Sequence, residues 1–229
     1  MIARRERERH RRFSDLARPK DADSLTGGGP EGNEQLTTVT GVILIVLLAV
    51  LGFTIPQLRQ YIWLHLFVGL LLIGPVLLKM ASTGYRFVRY YTRDAEYLRT
   101  GPPQIALRLI APIVVISTVG VFATGVGLLI VGPNDRNPML LLHKVTFIVW
   151  IVFTSLHILG HLPEVGRLFG VSDLGGRERE QITRPASGGP GRWLALTGAL
   201  VGGAVLAIVL IPQFATWTAH GVFMHRHHH

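Results

Sequence analysis

The sequence contains no cysteine. That absence excludes disulfides, iron–sulfur ligation, thiolate haem ligation and covalent c-type haem attachment. Charge is scarce as well: 16% of residues are charged, against ~25% in soluble domains. Five long stretches hold no Asp, Glu, Lys or Arg: Leu36–Leu58, Gln60–Leu78, Leu109–Asn134, Val145–Pro163 and Trp193–Ala219. Each supplies the roughly 20 apolar residues that cross a bilayer. The expected fold is therefore an all-α integral membrane protein with five transmembrane helices. The polar stretch before the first span excludes a cleaved signal peptide.

What charge there is sits beside the spans. The net charge of +9 is thus a topology signal, and a nucleic-acid partner is not expected. Residues 1–36, 79–108 and 163–192 carry eight, six and five of the 23 Lys and Arg, while the turns at 56–60 and 132–138 carry one each. Positive-inside bias then places the N-terminus in the cytoplasm and the C-terminus outside. Residues 1–36 read as a disordered basic tail, 37–212 as the membrane domain, and 213–229 as an extracytoplasmic tail ending in HRHHH, on which nothing is built. Between the second and third spans, residues 81–104 alternate Arg with Tyr and Phe and read as an interfacial segment. Gly74-Pro75 predicts a kink in the second span.

Ionisable groups inside a span are costly, and by default they mark a functional site. The stretch Leu140–Leu162, LLLHKVTFIVWIVFTSLHILGHL, carries His143, His157 and His161. From His143 to His157 is a step of 14 residues, about 40° short of four helical turns, so both share one stripe with Phe147, Trp150 and Thr154. The second span carries His65 about one turn in, and Gly69 four residues later, where a missing side chain admits a flat ring. The second and fourth spans run the same way, so His65 and His143 share a depth near the outer surface. Facing each other, they can ligate opposite faces of one haem b. Two imidazoles saturate the iron, which suits electron transfer. Lys144, at that depth, reads either as a partner for a haem propionate or as an ordinary interfacial cation; Arg59 reads as interfacial.

The inner half is less complete. Lys79 stands 14 residues after His65, where a fourth histidine would complete a second haem. A second haem would need Lys79, Met80, or both His157 and His161. A quinone headgroup held by Lys79 with His157 or His161 is an alternative, and simple anchoring of the helix ends is another. A metal site at His157 and His161 has the right spacing but finds no carboxylate in the spans.

Residues 61–162, with His65, Gly69 and the His143…His157 pair in LHLFVGLLLIGPVLLKMASTGYRFVRYYT and LLLHKVTFIVWIVFTSLHILGHL, resemble the bacterial membrane cytochrome b superfamily. This includes the cytochrome b subunits of hydrogenases and formate dehydrogenases and the ferric reductase-like proteins. The resemblance implies a four-helix bundle core holding one or two b haems and passing electrons between quinones and a partner. The expectation is an electron-transfer subunit in a bacterial plasma membrane, not a stand-alone enzyme, working with a redox partner protein. A homodimer lending a ligand to the inner site stays open. The competing expectation is a cofactor-free structural subunit or small transporter, against which the lack of Asp and Glu in the spans weighs.

Overall fold

The computed structural model of the chain describes residues 29–94, 98, 105–168 and 189–219, with side chains except at 29–31, 105–107 and 161–168. Six helices and no strand occur among the described residues: α1 Gly29–Thr54, α2 Leu58–Tyr91, α3 Ile105–Val131, α4 Asn137–Leu168, α5 Gly189–Val209 and α6 Ile211–Thr218. The first five are long and apolar enough to cross a membrane. Many of their large apolar side chains point outward, with Ile130 73% and Leu109 71% exposed. Water would not tolerate so much apolar surface, whereas lipid does. The chain is an all-α, multi-pass membrane protein.

Local chemistry sets the helix ends. At Gly132 the backbone turns left-handed (φ 78°) and its N–H donates to the Leu128 carbonyl (3.0 Å), closing α3. α2 closes on a two-bond motif: Arg93 N–H to Tyr90 O (3.1 Å) and Asp94 N–H to Arg89 O (3.1 Å). That motif needs a left-handed residue, and Arg93 supplies it at φ 62°, where glycine is the usual choice.

Several boundaries differ from the sequence expectation. α1 begins at Gly29, so residues 29–36 of the expected tail are helical; the earlier residues lie outside the described part. Past Tyr61, α2 runs on to Tyr91, so the aromatic-basic stretch starts as a continuation of the span. Nothing between Met80 and Tyr91 breaks a helix, and pairs four apart support it. Phe87 and Tyr91 have ring centroids 4.5 Å apart, and Arg89 lies over Tyr85 at 5.9 Å. At about 1.5 Å per residue, the 34 residues of α2 are longer than the ~30 Å hydrocarbon core is thick. Residues 211–218, at the end of the last span and the start of the expected tail, form α6, with Pro212 in its first turn.

Gly74-Pro75 does not break α2 either. The residue with non-helical dihedrals is Tyr61 (φ −110°, ψ 23°), near the start. Proline removes one N–H and so releases the carbonyl four residues back, that of Leu71. Here that carbonyl lies against the backbone of Gly203 on α5, while the Ala199 carbonyl lies against Gly74. A side chain at either glycine would overlap the facing carbonyl oxygen. The two helices therefore meet backbone to backbone through small residues, a contact suited to lipid, where close packing replaces the hydrophobic drive.

The remaining contacts define two hairpins. α1 packs on α2 and α3 packs on α4, whereas the hairpins touch each other mainly through α2 against α3. α6 adds contacts to α2, α3 and α5. Its Phe214 and Trp217 are buried with Ile62, Leu128 and Leu129, closing the end of the bundle that carries His65.

Candidate functional site

His65 comes from α2 and His143 from α4, the second helix of each hairpin. Both are half-buried. The two rings lie near one another. The two hairpins thus bring to one place the pair whose common depth follows from the order of the spans.

Each imidazole is held from behind by a threonine on the first helix of its own hairpin. His65 Nδ1 lies 2.8 Å from Thr54 Oγ1. His143 Nδ1 lies 3.0 Å from Thr124 Oγ1, which also approaches Thr146 Oγ1 at 3.2 Å. Thr54 and Thr124 are buried, so water does not compete. Gly125 lets the ring of His143 lie close against α3: a side chain there would come within 3.3 Å of His143 Cε1. Gly69, one turn on from His65, faces open space, with nothing within 4 Å of where a side chain would begin.

Nδ1 is therefore engaged in both rings, and the His143 ring also hydrogen-bonds the Val121 backbone. Among the described residues no group of three or more His, Cys, Asp or Glu is gathered as for a metal ion. Two imidazoles alone do not complete the four positions of a bare zinc site.

Lys79 is turned elsewhere. Its Nζ donates to the Thr37 carbonyl on α1 at 2.7 Å, and Gly41 makes room for it. Around it, Thr37 Oγ1 donates to Ser82 Oγ (2.9 Å), Ser82 Oγ to the Lys79 carbonyl (3.0 Å), and Asn33 Nδ2 to the Ser82 carbonyl (3.1 Å). This network ties the starting end of α1 to α2 and uses the ammonium to do so. His157 is half-buried on α4, and Met80 is half-buried on α2. The side chain of His161 lies outside the described residues, so no inner group of Lys79, His157 and His161 is assembled among them. Lys144 and Arg59 are exposed. Trp150, read as part of the pocket stripe, donates from Nε1 to Thr118 Oγ1 on α3 at 3.0 Å, and so contributes to packing within the second hairpin.

The residues that sequence reasoning missed are Thr54 and Thr124. A hydroxyl in an apolar span ordinarily bonds its own backbone, as Thr40 does with the Leu36 carbonyl at 2.7 Å. Nothing in the local sequence distinguishes Thr54 from Thr40; only the packing of the hairpin does. The chain matches no family model, no curated protein and no solved structure.

Proposed function

We propose that this protein is a b-type cytochrome of the bacterial plasma membrane. One haem b is held between His65 and His143 near the outer face and passes electrons between the quinone pool and a redox partner protein. The observation that carries this reading is the donor set. Two imidazoles on separate hairpins lie near each other, each engaged at Nδ1 by a threonine hydroxyl of its own hairpin. Two imidazoles, with no third ligand group gathered beside them among the described residues, match the axial demand of haem. When bound, haem supplies one-electron chemistry; the protein supplies ligation, burial and orientation. The open space at Gly69 and the close approach at Gly125 favour a planar group beside the two rings.

One haem is the count this arrangement supports, because the Lys79 ammonium is engaged by α1. The resemblance of residues 61–162 to membrane cytochromes b supports the quinone and the partner protein. The Lys and Arg distribution supports a cytoplasmic N-terminus, which puts His65 and His143 toward the outside.

The test is the visible spectrum of the full chain, purified in detergent from a haem-replete host, reduced with dithionite and compared with the oxidised form. The expected result is the sharp reduced band of a six-coordinate b haem, unaltered by carbon monoxide because both axial positions are filled. A purified, folded chain without such a band would refute the reading and leave a cofactor-free membrane subunit.

A further inference from the structure

We propose that Thr54 and Thr124 are positioning residues: each locks its histidine as the Nδ1–H tautomer, aims Nε2 at the bound group, and lowers the reduction potential of that group. The proposal rests on the haem reading above.

The argument is a count of protons. A threonine hydroxyl has one hydrogen to give. Thr54 Oγ1 lies 2.5 Å from the Leu51 carbonyl oxygen and 2.8 Å from His65 Nδ1. A carbonyl accepts and never donates, so a contact that short requires the hydroxyl hydrogen. The same oxygen can then only accept from the ring, which makes Nδ1 the donor. At the second site Thr124 donates to the Gly120 carbonyl at 2.7 Å and receives His143 Nδ1–H at 3.0 Å, while the Val121 carbonyl, which lies 3.1 Å from the same hydroxyl, also accepts from the ring. The neutral ring has one N–H, so in both cases the lone pair is left on Nε2. The opposite tautomer would set two lone pairs against each other.

The two units arise from unrelated local sequence, GFTIP on α1 and FATGV on α3, yet they are built alike. In each, the first helix of a hairpin offers a backbone-bonded hydroxyl to a histidine on the second. A hydroxyl merely satisfying itself in lipid needs no ring, as Thr40 shows. Donation from the far nitrogen makes an imidazole a stronger electron donor to a metal, which favours the oxidised state. Thr54 makes the shorter bond and has no second hydroxyl beside it, whereas Thr124 is shared with Thr146. Its loss therefore has the larger effect.

The experiment compares Thr54→Val, Thr124→Val and the matching Thr→Ser variants, with Thr40→Val as a control for removing a buried, backbone-bonded hydroxyl. Histidine ¹⁵N spectra of the haem-free chain report the tautomer without any cofactor. Potentiometric titration of the loaded chain reports the midpoint potential. The expected result is loss of the Nδ1–H signature and a rise in midpoint potential in each valine variant, larger for Thr54→Val, with restoration by serine and no change in Thr40→Val. If a valine variant fails to fold, the serine variant against Thr→Ala makes the same comparison. A wild type that binds haem, while the hydroxyl-free variants keep both its tautomer signal and its potential, would overturn this proposal alone. A folded wild type that takes up no haem would overturn the functional reading, and this proposal with it.

Discussion

Adding one methyl group at Gly203 separates two explanations for the glycines of α5. Gly202 and Gly203 are neighbours in one helix, so Gly→Ala at either gains the same helix propensity, about 1 kcal/mol in soluble hosts. That gain cancels in the comparison between them. What differs is the space. At Gly202 nothing lies within 4 Å of the new carbon, whereas at Gly203 it would overlap the Leu71 carbonyl oxygen. That oxygen belongs to backbone and cannot rotate away, so α2 and α5 must separate. Overpacking of this kind costs about 1–3 kcal/mol. Gly203→Ala should therefore be less stable than Gly202→Ala by about 1–3 kcal/mol. Gly74→Ala, which meets the Ala199 carbonyl, should behave like Gly203→Ala. The assay is unfolding in mixed micelles with increasing SDS, followed by circular dichroism. Equal midpoints for Gly202→Ala and Gly203→Ala would refute the backbone contact and make these glycines a matter of composition.

Other outcomes follow from single contacts. Lys79→Met removes a charge-assisted hydrogen bond to the Thr37 carbonyl, a class of bond whose removal costs about 1.5–3 kcal/mol. Amide exchange over residues 33–41 should quicken while that of α3 stays unchanged, and uniform exchange would count against the α1–α2 network. Arg93→Gly should raise thermal stability by about 1 kcal/mol, because a left-handed residue strains any side chain but glycine; an unchanged melting temperature would argue against the closing motif of α2. Trp150→Phe, which gives up the Thr118 bond, should destabilise by about 1 kcal/mol and leave the visible spectrum as it was. A changed spectrum would return Trp150 to the pocket.

The membrane spans were legible because lipid imposes a one-dimensional rule: a helix that crosses it must omit charge for about 20 residues. The expectation that His65 and His143 share a depth rests on the same rule, since alternating spans fix direction. The details that depend on neighbours were not legible. Pro75 reads as a kink when α2 is taken alone, yet α5 supplies a glycine where the freed carbonyl needs close approach. Lys79 reads as a spare ligand on the histidine stripe until α1 offers Gly41 and the Thr37 carbonyl. Thr54 precedes its partner His65 by 11 residues, across a turn, a separation that no helical or strand period predicts. The aromatic run after Met80 has a composition that suits the membrane surface. Composition does not say whether such a segment bends away or simply continues the helix it follows, and here it continues to Tyr91.

The most direct measurement is haem content per chain, by pyridine haemochrome and protein quantitation, for the wild type beside His65→Ala and His143→Ala. Each variant is first shown to be folded by its helical circular dichroism. The account predicts one haem b per wild-type chain and its loss when either histidine is removed, because the two rings come from different hairpins and neither ligates alone. Haem retained in full by both variants, or absent from the folded wild type, would contradict it.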